Sequence, residues 1–416
     1  MRDLFLHGFL FLSILGLLAA SGAGAAELPH LSLPKYRLLP DEVAVVINDR
    51  DPLSQRIGRY YAERRGIPPD NIIHVSLDPK PRSIAPKTFQ KEYAKVLAAT
   101  PDKVQAYVLT WTLPYRVACM SMTTAFAAGF DQSWCSSKVC APTRRSPYFD
   151  SSSRFPHKDY GLRPSMLLAA ETFAEAKALI DRGIKADRSW PSGTAYLLET
   201  SDRARSVRAA FFPGISEYFR SRLQVVSLKQ DALYDADDIL FYFTGRRWIE
   251  GLETLDFLPG AVADHLTSYG GRLTDTTQMT ILAWLKAGAT GSYGTVVEPC
   301  NLPGKFPHPG AVMDYYLKGA TLVEAYWKSV AMPGEGLFVG EPLAAPFAGH
   351  RLRREGETLI LETHALAAGR YRLQGADSPI GPFRSLGTLE VRRHQHRFRL
   401  PDTGHAWLKL IPVWLP

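Results

Sequence analysis

The chain has 416 residues, of which 46% are hydrophobic and only 22% charged. That composition excludes a disordered or low-complexity chain and supplies enough apolar material for about two domains. The formal net charge of +8 is compatible with anionic partners such as lipid headgroups or wall polymers, but a basic surface that simply keeps the protein soluble is the better expectation, and no nucleic-acid recognition motif is present.

Arg2 is followed by an apolar run from Leu4 to Ala20 and a small-residue stretch from Ser21 to Ala26. A charged start, an apolar core and an Ala-x-Ala exit through Ala23 and Ala25 predict a cleavable secretory signal over residues 1–25. A retained anchor would need about 20 apolar residues without that exit. Charges interrupt every later apolar run, so no membrane span is expected after cleavage. The expected location is outside the reducing cytoplasm, either periplasmic or extracellular. There the four cysteines, Cys119, Cys135, Cys140 and Cys300, permit two disulfides in any of three pairings. Cys135 and Cys140 flank a short polar stretch and suggest a small closed loop, which leaves Cys300 to pair with Cys119 or to stay free. A zinc site from Cys119, Cys135, Cys140 and His157 lacks a tight Cys-x-x-Cys pair, so disulfides are the better expectation.

From Asp41 onward, strand and helix patterns alternate. Glu42–Asn48 is a β-branched run typical of a buried strand. A helix starts at Asp51–Pro52, places Ile57, Tyr60 and Tyr61 at helical spacing, and stops at Gly66. Asn71–Leu77 and Gln105–Thr112 read as further strands, with Thr88–Ala99 as the helix between them. Residues 119–160 break the rhythm and read as a cysteine-containing excursion from the sheet. The alternation then resumes: helix Thr172–Ile180, strand Thr194–Glu199, helix Ala204–Phe219 and strand Ile239–Phe243. Next come a short apolar segment at Gly260–His265, helix Thr277–Ala287, strand Gly291–Val297 and a last long helix at Tyr315–Val330. Such βαβα order predicts an α/β fold with a mostly parallel, doubly wound sheet over residues 36–347. After Phe347 the texture changes. Short strand-like runs at Thr358–Glu362, Arg370–Leu373, Gly387–Val391, Arg397–Leu400 and Ala406–Ile411 alternate with turn residues. They predict a small all-β, sandwich-like domain over residues 348–416. The basic run Arg392–Arg397 reads there as a solvated strand pair.

Ligands of open parallel sheets bind beyond the carboxyl ends of the strands. Three polar groups follow strand-like runs: Thr244, Gly245 and Arg246; Asp264 and His265; and Glu298 and Cys300, with Lys305 and His308 downstream. Cys300 as a thiolate nucleophile, with His265 or His308 as base and Asp264 orienting it, is one chemistry for that rim. A divalent metal on Asp264, His265, Glu298 and His308 is a second, although no spacing is diagnostic and no cofactor can be named. The bland alternative is a turn-capping Asp264, a packed His265 and a bridged Cys300. Thr244, Gly245, Arg246, Glu298, Lys305 and His308 are the candidate binding residues.

The segments VVINDRDPLSQRIGRYYAERRGIPPDNI, VADHLTSYGG, AGATGSYGTVVEPCNLPGKFPHP and GLFVGEPLAAPF resemble a family of bacterial exported proteins without an established activity, over about residues 36 to 347. The order ILFYFTG, LPGAVADHLTSYGG, AGATGSYGTV and GLFVGEPL is also distantly similar to the gingipain-type domain of caspase-like cysteine peptidases. In that family a strand ends in His-Gly and the next ends at the nucleophilic cysteine. Here Thr244–Gly245 stands at the first position and Asp264–His265 near the second, so the resemblance implies a caspase-like fold without either catalytic residue. The resulting expectation is an exported, non-catalytic binding or assembly protein, whose partner is a peptide, a glycan or a cell-envelope protein. A cysteine- or metal-dependent hydrolase around His265 and Cys300 is the alternative.

Overall fold

The computed structural model describes residues 27–138 and 140–413; the predicted signal segment lies outside the described residues. The first elements are β1 (His30–Ser32), β2 (Val43–Asn48), α1 (Pro52–Arg65), β3 (Ile72–Val75), β4 (Ser83–Ile84), α2 (Pro86–Ala99) and β5 (Ala106–Leu109). All six residues of β2 are buried, as expected of a parallel strand covered on both faces. The boundaries of α1 are local. Asp51 caps it by accepting the Leu53 N–H, Pro52 opens it, and Gly66 closes it in the left-handed conformation.

The predicted excursion, residues 119–160, carries short elements of its own. It follows β6 (Arg116–Val117) and holds β7 (Met120–Ser121), α3 (Met122–Ala128) and α4 (Pro156–Tyr160), and α3 is almost wholly buried. The Ser121 hydroxyl caps α3, and the Thr124 hydroxyl donates to the Pro333 carbonyl, docking α3 onto the rest of the domain.

After β8 (Ser165–Leu167) come α5 (Phe173–Ala186), β9 (Thr194–Glu199), α6 (Phe212–Phe219), β10 (Gln224–Lys229), β11 (Ile239–Thr244) and β12 (Phe257–His265). They are followed by α7 (Leu282–Ala287), β13 (Gly291–Thr295), α8 (Pro309–Leu317), α9 (Leu322–Trp327) and β14 (Gly336–Gly340). The expected helix Tyr315–Val330 is two helices. Gly319, at φ 82°, ends the first, and the Thr321–Glu324 capping box starts the second.

Ten strands form one sheet in the order β10-β9-β11-β12-β13-β14-β8-β5-β2-β3. Every neighbouring pair is parallel except β13 and β14, which are antiparallel. The sheet is therefore two parallel halves running in opposite directions and joined at one seam. In the half β10-β9-β11-β12-β13, the strand order reverses between β9 and β11, the kind of switch point beside which open α/β sheets bind ligands.

The remaining strands are β15 (Arg351–Glu355), β16 (Thr358–Glu362), β17 (Gly369–Ala376), β18 (Arg384–Val391), β19 (Arg397–Pro401) and β20 (Trp407–Pro412). They form a three-stranded sheet β15-β16-β19 and a four-stranded sheet β1-β20-β17-β18. Strict alternation in β19 buries Phe398 and Leu400, which join Leu359, Leu361, Tyr371, Leu373, Leu408 and Leu410 in a separate core. The first described strand, β1, pairs in parallel with β20, so the start of the described chain belongs to the terminal β lobe.

Candidate functional site

Strands β11, β12 and β13 are neighbours and parallel, so their polar tips share one edge of the sheet. The register pairs Phe243 with Asp264 and Thr244 with His265. Successive residues of a strand face opposite sides, which sends Asp264 and His265 to different faces.

On one face, Asp264 meets Arg208 from the 3-10 helix Ser206–Phe211, with Nη1 to carboxylate oxygen at 2.5 Å and both side chains almost fully buried. Arg208 also donates through Nη2 to the Thr244 carbonyl at 2.8 Å, so one guanidinium ties two strand tips together. Burial pushes the Asp264 carboxyl up to about 6, and the attraction of Arg208 offsets only part of that rise.

On the other face, His265 Nδ1 accepts the indole N–H of Trp284 at 2.9 Å. A ring nitrogen that accepts carries no proton, so Nε2 holds it and donates to the Met279 carbonyl at 3.1 Å. Both nitrogens are thus engaged inside the protein. Burial lowers the imidazole to about 3, helped by Arg208 and Arg205. This depression has a sign. The unfolded histidine takes up a proton near pH ~6.5 and the folded one does not. The stability it contributes is therefore present above that value and lost as pH falls towards the folded pKa. At pH 5, His265→Gln is expected to be relieved of about 2 kcal/mol of acid destabilisation relative to its behaviour at pH 8. Parallel urea titrations at the two pH values measure this, and equal differences at both would refute it.

Two glycines allow the rim loops to close. A Cβ on Gly245 would lie 1.9 Å from the Arg205 carbonyl oxygen, and one on Gly271 would lie 2.3 Å from that of Gly294. Beyond the tips of β12 and β13 lies a cleft of about 280 Å³ bordered by Arg205, Thr267, Ser268, Glu298, Cys300 and Asn301. Arg205 Nε donates to the Thr267 hydroxyl at 3.0 Å, and that hydroxyl donates to Gln278 at 2.8 Å. Glu298 accepts the Cys300 N–H at 2.9 Å and so caps its own turn.

The cysteine pairing differs from the expected one. Cys119 bonds to Cys135, and Cys140 bonds to Cys300. Cys135 and Cys140 belong to different bridges, because the excursion folds back on itself through the first and is fastened to the rim by the second. Cys300 therefore presents a disulfide sulfur, with no thiol for a base to ionise. None of the described cysteines is free, and among the described residues no three His, Cys, Asp or Glu side chains are grouped as a metal ion would need.

The other expected binding residues separate. Arg246 is drawn to Asp231. Lys305 is fully buried, bonded at 2.7 Å to Glu335 and at 2.7 Å to the Ser136 hydroxyl, where it anchors the excursion. His308 caps α8 by accepting the Ala311 N–H and lies against Phe211, with ring centroids 4.7 Å apart.

His308 opens onto a different feature, a groove of about 750 Å³ between α6 and α8. Phe149, Phe211, Tyr218 and Tyr315 supply aromatic surface, while Asp150, Asp314, Lys318 and Arg393 supply charge. The sequence reading missed this groove because its residues come from four separate segments. Of these residues, only His308 is a binding candidate in the sequence. Arg393 belongs to the supposed solvated strand pair, which is in fact the turn between β18 and β19 and reaches Tyr218 of α6, with Nη2 3.4 Å from the hydroxyl.

No protein-family model matches the chain, and no curated protein matches it. Solved structures do. The chain is similar in its course to gingipain R. The crystal structure of the Arg-specific cysteine proteinase gingipain R (RgpB) aligns at TM-score 0.48 with 9% identity, covering 92% of this chain and 100% of that one. A second structure, described only as a protease, aligns at 0.45 with 10% identity over 91% of this chain and 98% of that one. A complex of the Porphyromonas gingivalis RgpB pro- and mature domains aligns at 0.39 with 9% identity over 89% of this chain and 96% of that one. Among the described residues, no helix is long and apolar enough to cross a membrane.

Proposed function

We propose that this chain is an exported, non-catalytic binding protein of the cell envelope, built on a degenerate caspase-like α/β domain, with a glycan as its ligand in the α6–α8 groove. The observation that carries this reading is the contrast between the two sites. At the strand tips, both nitrogens of His265 are bonded internally, Asp264 is paired with Arg208, and Cys300 is bridged. Nothing there is poised to move a proton or attack a substrate. The groove, by contrast, offers flat aromatic surface beside hydrogen-bonding and charged groups, in a volume that suits several sugar rings or a short polymer segment. The two disulfides fit a life outside the reducing cytoplasm.

Purified peptidoglycan sacculi provide the test. The full chain is expected to co-sediment with them, and the Phe149→Ala/Phe211→Ala pair to be retained about tenfold less well, the loss typical of removing aromatic contacts. No soluble fragment should accumulate. Retention unchanged in the double variant would remove the groove, and fragment release that disappears in His265→Gln would restore the hydrolase.

A further inference from the structure

We infer that the cleft between the α/β domain and the β lobe is a binding site for a phosphate-type oxyanion. This cleft, about 340 Å³, continues from the α6–α8 groove and shares Asp150, Tyr315, Lys318 and Arg393 with it. Arg154 and Arg222 enter from the α/β domain, and Arg393 and His394 from the β18–β19 turn. The side chain of Arg222 is only 10% exposed. It lies over the Tyr218 and Phe219 rings at 4.7 and 4.6 Å and donates through Nη1 to Asp314 at 3.1 Å. Among the described residues, its Nε and Nη2 are buried without an acceptor, and so is Nη1 of Arg154.

Buried guanidinium N–H groups without acceptors are costly, because desolvation is not repaid by a hydrogen bond. Native proteins fill nearly all such donors. The carboxylates nearby do not complete the set. Asp314 is shared among Arg222, Lys318 and the Tyr218 hydroxyl, and Asp150 accepts the Tyr315 hydroxyl at 2.9 Å. Arg393 rests on the Tyr218 ring at 5.4 Å and donates to its hydroxyl. Four cations thus line or adjoin a cleft that two already engaged carboxylates serve. His394 and His364 feel this positive field. Burial lowers both, and Arg222 lowers them further. A tetrahedral oxyanion would accept several forked N–H groups at once, the arrangement for which arginine is suited. A phosphate-bearing lipid headgroup and a soluble phosphate ester would both supply that chemistry.

The experiment uses the full chain titrated with inorganic phosphate, against chloride at equal ionic strength. Thermal unfolding is expected to show a saturable rise in Tm. The His394 imidazole resonance should move to a higher pKa once phosphate neutralises the neighbouring guanidiniums. Arg154→Gln/Arg393→Gln, which leaves the packed Arg222 in place, should weaken the phosphate effect about tenfold or more. A parallel arm uses phosphatidylglycerol vesicles with phosphatidylcholine controls. Capture on the anionic vesicles that phosphate displaces assigns the site to a headgroup, and phosphate binding without vesicle capture assigns it to a soluble ester. A Tm response no larger than that to chloride, or one equal in the double variant, would overturn the inference. The site extends the binding role proposed above. If sacculus capture fails while phosphate still binds, the glycan reading falls and the oxyanion site stands.

Discussion

Replacing Cys140 and Cys300 together by serine is expected to destabilise the protein by about 5 kcal/mol. The bridge spans 160 residues of sequence, so its loss returns the entropy of a very long loop to the unfolded chain. The Cys119–Cys135 bridge spans only 16 residues, and its removal should cost about 3 kcal/mol on the same grounds. The long bridge also has a local job. It pins the excursion to the loop after β13, where the buried Lys305–Glu335 pair and Ser136 form one polar knot. Equilibrium denaturation of the two double variants measures the difference. If the short bridge proves the costlier, loop closure is not what these disulfides contribute.

Arg208→Met is expected to cost about 3–5 kcal/mol near pH 8, because it strands a buried carboxylate. The substitution keeps much of the apolar stem while removing the cation 2.5 Å from Asp264 and the donor to the Thr244 carbonyl. Its pH dependence has a definite direction. The Asp264 carboxyl is already raised to about 6 with Arg208 present, and without the cation it rises further. A carboxyl raised above its unfolded value of ~3.9 contributes stability that is fully present below that value and lost as pH climbs through the folded pKa. The variant should therefore be penalised less at pH 5 than at pH 8, since the stranded group protonates. Urea unfolding of wild type and variant at both values tests this. A penalty independent of pH would show that Asp264 does not sense Arg208.

Much of the fold is legible in short windows. Val43–Asn48 is a run of β-branched residues that only a strand buried on both faces would use, and Asp51–Pro52 and Gly66 mark the two ends of α1. Other elements are not. The single helix expected at Tyr315–Val330 is broken by Gly319 and the Thr321–Glu324 capping box, both visible in the sequence but overridden by the length of the apolar pattern. Strand β8 is only three residues long, and β10 lies at a sheet edge with little burial, so neither carries a period strong enough to read. The last six residues of β12 read as a short apolar segment, because its first three residues, including Pro259, obscure the alternation.

For the site, Asp264 and His265 can be placed at a strand tip from sequence alone, and the shared edge of β11, β12 and β13 follows from parallel topology. Which face each residue occupies depends on the register of a period-2 structure. A shift of one residue would exchange the partners of Asp264 and His265. The cysteines behave similarly. Composition requires no particular pairing, and Cys140 meets Cys300 only because the excursion folds back onto the loop after β13.

Local chemistry written along the chain determined the alternation of strands and helices, the ends of α1, the terminal β lobe and the polar strand tips, since each needs only neighbours within a turn or a pleat. Tertiary structure alone decided the opposed directions of the two half-sheets, the joining of β1 to β20, the locking of His265 and Cys300, and the meeting of Arg154, Arg222 and Arg393 at one cleft. The reason is physical. Those features are set by contacts between residues tens to hundreds of positions apart, whose energies appear only once the chain has closed its loops and excluded water from the groups it brings together.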